Sequence, residues 1–122
     1  MKVQKILVVD DSATQRHSIG EILKQRGYDV TFVEDGESGI EYARANLPDL
    51  VIMDVVMPKM NGFQATRALS SDLSTQHIPV ILCTTKDQET DKVWGIRQGA
   101  RGYVLKPIKA ADLLSQIDAL TG

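Results

Sequence analysis

Hydrophobic and polar positions change period along this chain in blocks, and each block's period predicts its backbone. Ile6–Val9 is an unbroken apolar run, as expected of a strand buried on both faces. Ser12, with Gln15 three positions on, is a capping-box signature for the helix that follows. Ile19, Ile22 and Leu23 recur at helical spacing until Gly27 supplies a C-terminal stop. Val30–Val33 is a second short strand. Gly36–Asn46 reads as a helix with Ile40, Ala43 and Leu47 along one side, and Pro48 prevents its continuation. Leu50–Met53 is a third apolar strand. A loop containing Pro58 and Asn61-Gly62, the latter expected to turn, leads to a helix over Phe63–Leu69. Pro79 opens the strand Val80–Cys83, a polar helix runs from about Gln88 to Gln98, and Gly99 closes it. Tyr103–Leu105 is the last strand, and Leu113, Leu114, Ile117 and Leu120 mark the last helix. Five strand–helix units in succession predict an α/β domain with a parallel sheet and helices on both faces.

Composition narrows the class of molecule. A length of 122 residues predicts one domain over the whole of 1–122, with no output domain attached. Hydrophobic residues at 43% and charged residues at 25% are the balance of a soluble globular chain. Lys and Arg number 14 against 16 Asp and Glu, and a net charge of −2 argues against nucleic acid as a direct partner. The single cysteine rules out an internal disulfide and a multi-cysteine metal site, which suits a reducing compartment and a cytoplasmic location. The apolar runs are too short for a bilayer, so no membrane insertion is expected.

Candidate chemistry emerges where the apolar runs stop. The first strand hands over to Asp10-Asp11, the third to Asp54, the fourth to Thr84 and the fifth to Lys106. Parallel strands place these ends on one side of the sheet, where open α/β sheets bind ligands. The second strand ends in Glu34, which belongs at the sheet's edge, away from the others. Polar residues mark any strand's exit from a core, yet three carboxylates, a hydroxyl and an ammonium form a more specific set than a solvated loop requires. Asp10, Asp11 and Asp54 repel one another, and with Lys106 they leave a formal charge of −2 that a divalent cation cancels. All-oxygen ligation suits Mg²⁺ or Mn²⁺. A metal, a lysine and a hydroxyl around a carboxylate suit phosphoryl transfer, with the carboxylate as nucleophile.

Val8-Val9-Asp10-Asp11, Met53-Asp54-Val55-Val56-Met57-Pro58, Cys83-Thr84-Thr85 and Tyr103-Val104-Leu105-Lys106-Pro107 resemble the receiver domain of two-component response regulators, and the likeness runs from Lys5 to Leu120. The resemblance implies a doubly wound, flavodoxin-like sheet in the order 2-1-3-4-5. It implies that Asp54 accepts a phosphoryl group from a sensor histidine kinase or a histidine phosphotransfer domain. Asp11, Asp54 and the backbone carbonyl of Val56 would ligate Mg²⁺, with Asp10 acting through water. Thr84 and Lys106 would meet the phosphoryl oxygens, Tyr103 would turn inward as Thr84 moves, and the Lys106-Pro107 bond would be cis. Such a domain catalyses only its own phosphorylation and dephosphorylation. An output face on the fourth helix, fifth strand and fifth helix would include Lys92, Trp94, Tyr103 and residues near Ala110–Ser115. A narrower likeness, in Asn61–Arg67 and Thr84–Gly95, is to the stand-alone receivers of type IV pilus twitching motility, which implies a pilus motor or signalling protein downstream.

Several residues depart from this pattern or stand alone. Thr85 occupies a position where the family commonly carries Ala, and its branched side chain would narrow the approach to Asp54. Val56 offers no hydrogen bond to an attacking water. Met57 is read as packing beneath the acceptor loop, Cys83 as a small buried hydrophobe, and His17 and His77 as surface residues. Trp94 divides evenly between capping the core and serving an interface. Alternatives are a phosphate sink, a binding module independent of phosphorylation, and an aspartyl-phosphate phosphohydrolase. The last would open a D-x-D motif after its first strand, where this chain has Asp10-Asp11-Ser12.

Overall fold

A computed structural model describes residues 3–121. Five parallel strands, β1 (Lys5–Val9), β2 (Asp29–Val33), β3 (Leu50–Asp54), β4 (Val80–Thr84) and β5 (Gly102–Leu105), pair in the order β2-β1-β3-β4-β5. Between them run α1 (Ala13–Gln25), α2 (Gly36–Asn46), α3 (Gly62–Ser71) and α4 (Glu89–Arg97), and α5 (Ala110–Thr121) follows β5. The flavodoxin-like order expected from the resemblance is the order observed.

The inner strands are apolar over Ile6–Val9, Leu50–Met53 and Val80–Cys83 because both faces of the sheet are covered there, and their period of two divides the core. Leu7, Val9, Val51, Met53 and Leu82 face a layer closed by Ile40 of α2 and by Ala65 and Leu69 of α3. Ile6, Val8, Ile52, Ile81 and Cys83 face the opposite layer, closed by Ile19 and Leu23 of α1 and by Leu113 and Ile117 of α5. Register carries this alternation across the sheet: Val8 lies beside Ile52, Met53 beside Leu82, and Cys83 beside Val104. A slip by one residue would turn every side chain to the wrong layer.

Local signals are mostly obeyed, with three corrections. Ser12 caps α1 by accepting from Gln15 N at 3.3 Å, but its own N–H donates to Asp10 Oδ1 at 2.9 Å. Half of the expected capping box is thus spent on holding Asp10. Leu47 does not continue the apolar side of α2. It is the C-cap, at φ 48°, and its side chain is about half exposed. Asn61-Gly62 is not a free-standing turn either. Asn61 caps α3 through a complete capping box with Gln64, and Gly62 is the first helical residue. Any Cβ on Gly62 would collide with the carbonyl oxygen of Asp54, while its N–H donates to Val55 O at 2.8 Å. Only glycine lets α3 begin so close to the strand end that presents Asp54.

Candidate functional site

The carboxyl ends of four strands meet at one edge of the sheet. Asp54 is the last residue of β3 and Thr84 the last of β4, while Asp10 and Lys106 each follow the final residue of their strands. Asp10 and Asp54 are buried, at 1% and 5% exposure, and Asp11 stands out toward solvent. One oxygen from each of these three carboxylates lies within 4.8 Å of the others. Lys106 Nζ donates to Asp10 Oδ2 and to Asp54 Oδ1, both at 3.0 Å. The set expected from the strand ends therefore gathers, with Lys106 bridging the two buried acids.

Electrostatics follow from that packing. Burial pushes the Asp54 carboxyl above its ordinary value; the Lys106 hydrogen bond opposes the rise, and the charges of Asp10 and Asp11 add to it. Burial also disfavours the Lys106 ammonium, but its bonds to Asp54 and Asp10 outweigh that cost and raise its pKa. Asp10 is fixed on every side. Ser12 N holds Oδ1, Lys106 holds Oδ2, and Arg16 Nη1 donates to its backbone carbonyl at 2.8 Å. Arg16 carries no sequence signal for this contact with Asp10. The guanidinium also lies 3.5 Å from Glu34, which stays exposed at the sheet's edge as its place after β2 predicts. One helical turn separates Arg16 from Ser12, but no sequence motif announces a side chain reaching back to the preceding strand's carbonyl.

Beyond the acids, a short relay leads away from the site. Thr84 is buried, and its Oγ1 accepts from Lys86 N at 3.1 Å. Tyr103 is turned inward, and its hydroxyl donates to Lys86 O at 2.9 Å. Lys86 thus touches both side chains. Burial, with the charges of Asp91 and Asp87, raises the Tyr103 phenol to about 12, so it remains a donor at any physiological pH. On its far side Tyr103 lines a groove of about 300 Å³ with Asp87, Lys92 and Asp112. Of the expected output residues, Lys92 and Tyr103 share this groove, whereas Trp94 lies on the outer side of α4 with Thr90, Val93 and Arg97.

The other singled-out residues sit simply. Val56 is 59% exposed beside the site, Met57 is buried in the layer under it, and Pro58 is exposed. Thr85 is exposed at the rim, as are His17 and His77 elsewhere. The Lys106-Pro107 bond is cis. Cys83 is fully buried, and burial pushes its thiol up to about 12, which makes it an inert core side chain. Among the described residues, no helix is long and apolar enough to cross a membrane.

Comparisons with known proteins agree with this geometry. Residues 6–118 match the family model described as the response regulator receiver domain. The chain is 53% identical to protein PilH of Pseudomonas aeruginosa over 116 residues, which is 95% of this chain and 96% of that one. A crystal structure of a response regulator from Chloroflexus aurantiacus superposes with a TM-score of 0.92 at 27% identity, covering 98% of both chains. The receiver domain of the sensor histidine kinase PA1611 from Pseudomonas aeruginosa, solved with a magnesium ion coordinated in its active site cleft, superposes at 0.87 with 29% identity and covers 97% of both chains.

Proposed function

Because the chain belongs to the response regulator receiver family, we propose that Asp54 accepts a phosphoryl group from a histidine kinase or histidine phosphotransfer domain in a Mg²⁺-dependent reaction. The observation carrying this reading is a buried carboxylate held by Lys106 inside a cluster of three acids open to solvent on one side. The donor set is all oxygen, which fits Mg²⁺ and tolerates Mn²⁺. Asp11, Asp54 and the Val56 carbonyl would hold the ion, and Asp10 would hold its water. When bound, the ion neutralises charge shared between the acids and the transferring group.

The chain's own groups do the rest. An Asp54 carboxylate oxygen attacks phosphorus, the P–N bond to the donor imidazole breaks, and the departing nitrogen keeps the electron pair. Lys106, already 3.0 Å from Asp54 Oδ1, pairs with a phosphoryl oxygen as charge builds there. The Thr84 hydroxyl takes another oxygen. Its acceptor role toward Lys86 N then changes, and Lys86 O is what holds Tyr103. Phosphorylation is thereby read at the groove behind Tyr103, where a pilus motor or signalling protein of type IV pilus twitching motility docks. The motif likeness in Asn61–Arg67 and Thr84–Gly95 and the identity to PilH support that assignment.

Incubating the protein with acetyl phosphate and Mg²⁺ should raise its intact mass by one phosphoryl group, and a chelator should prevent the gain. No gain with metal present would overturn the proposal. Steady release of phosphate from unrelated monoesters would favour a hydrolase. The apolar Val56 leaves water near Asp54 without an orienting hydrogen bond, so the phosphorylated form should be long-lived. Val56→Asn should shorten that lifetime roughly tenfold, measured by the decay of the phosphorylated mass. An unchanged lifetime would show that water access is limited elsewhere.

A further inference from the structure

Asp11 differs from the other two acids of the cluster in how it is held. Asp10 and Asp54 are buried and share the Lys106 ammonium. Asp11 is exposed, and among the described residues no hydrogen bond reaches its carboxylate. Yet one of its oxygens lies within 4.8 Å of an oxygen from each of the others, against the repulsion of three like charges. That placement comes from the backbone, through the two peptide planes that flank Asp11.

The plane before Asp11 carries the Asp10 carbonyl oxygen, which accepts from Arg16 Nη1 at 2.8 Å. The plane after it carries Ser12 N, which donates to Asp10 Oδ1 at 2.9 Å. With both planes held, the φ and ψ of Asp11 are fixed, and so is the direction of its Cβ. Arg16 is anchored in turn, because its own N–H donates to Ser12 O at 2.9 Å in the first turn of α1. Helical side chains lean toward the N-terminus, which carries the guanidinium back over the turn it grips. Only 18% of that side chain is exposed.

Charge alone would give Arg16 the opposite effect. A guanidinium beside three acids competes with an incoming cation, so removing it would tighten ion binding. Geometry outweighs that competition here. The guanidinium bonds to a backbone carbonyl and not to the three carboxylates, and its ion pair is with Glu34 at 3.5 Å, which offsets part of its field. We propose that Arg16 is a positioning residue: by holding the Asp10 carbonyl it presents the Asp11 carboxylate beside Asp10 and Asp54 before an ion arrives, and so sets the affinity of the cluster for a divalent cation. The proposal rests on the reading of the three acids as a divalent-cation site.

Arg16→Met keeps the aliphatic stem and removes both the donors and the charge. Calorimetric titration of the full chain with Mg²⁺ should show binding weakened roughly tenfold, the usual effect of losing a partner that orients a metal ligand. The sign is decisive, since loss of a competing cation would tighten binding instead. Arg16→Lys keeps the charge but replaces the planar fork by a single flexible donor, and its affinity should fall between those of the wild type and Arg16→Met. Backbone amide relaxation by NMR gives a second reading without metal. The Asp11 order parameter should drop in Arg16→Met from about 0.85, the value of rigid backbone, toward about 0.6. Circular dichroism and melting of each variant separate a loosened turn from a lost fold. Binding by folded Arg16→Met as tight as the wild type or tighter, or an unchanged Asp11 order parameter, would overturn the proposal. A wild type that binds no Mg²⁺ would overturn the cation-site reading beneath it, and the metal-free order parameters keep the two failures distinguishable.

Discussion

Asp54→Ala should abolish the phosphoryl mass gain that the wild type shows with acetyl phosphate and Mg²⁺. The loss is one of kind and not of degree, because no other carboxylate can take over the position. Asp10 is occupied on both oxygens, by Ser12 N and Lys106 Nζ. Asp11 is exposed, and the Lys106 ammonium is held by Asp10 and Asp54. A residual gain of full size in the variant would move the acceptor elsewhere and remove the basis of the proposed function.

The same position should show a trade between function and stability. Asp54 has a folded-state pKa above 3.8, the burial of its charge being the largest cause. A carboxyl raised in this way binds its proton more readily in the native state than in the unfolded chain, so stability falls as pH rises from the unfolded value through the folded one. The whole penalty is present once pH exceeds the raised folded value. Asp54→Asn keeps the volume and removes the charge, so without metal it should melt higher than the wild type at pH 7. The difference should shrink as pH falls toward 3.8. Metal should reverse the order, since an ion bound only to the native wild type at 100 times its Kd adds about 2.7 kcal/mol. Melting curves at two pH values, with and without Mg²⁺, check both signs.

Much of this architecture is legible in the sequence for one physical reason. The inner strands of a parallel sheet covered on both faces are apolar along their buried length, so β1, β3 and β4 are visible runs and each exit from the core is a visible break. Asp10, Asp54, Thr84 and Lys106 stand at those breaks, and parallel connection alone brings them to one edge. What stays hidden depends on partners far away in the chain. Asp54 and Thr84 lie inside their strands rather than after them, because Asp54 pairs in register with Cys83, and Thr84 with Leu105. Asn61-Gly62 has the chemistry of a turn, yet Gly62 is needed for its missing Cβ beside the Asp54 carbonyl, an approach that no local pattern encodes. Leu47 has the spacing of a core residue but falls one position after α2 ends, where Pro48 prevents another turn. Arg16 reaches Asp10 through a helix whose own signature spoke only of its cap.

Lys106→Met should separate metal binding from phosphoryl transfer, which no change at the acids can do. In the wild type Lys106 Nζ lies 3.0 Å from both Asp10 and Asp54, so it competes for the carboxylate charge that a divalent ion would share. Methionine keeps the aliphatic length and removes that cation, leaving three acids unopposed within 4.8 Å. Mg²⁺ should then bind several times more tightly, because two unit charges about 4 Å apart interact by roughly 4 kcal/mol at an effective dielectric of 20, and relaxation returns only part of it. Phosphoryl uptake should nevertheless slow by about 10²–10³-fold, the cost of losing one preorganised donor to a developing oxyanion. Without metal the variant should also lose stability, with Asp10 and Asp54 left adjacent and unpaired. In the wild type the Lys106 contribution is fully present below pH 10.5 and is lost as pH rises through the elevated folded value, so the gap between the proteins should close only in strong alkali. Titration calorimetry with Mg²⁺ and phosphorylation rates on the same sample decide the matter. Tighter metal binding with slower transfer assigns Lys106 to the moving phosphoryl group, whereas weaker binding with slower transfer would make it a structural prop for the acids.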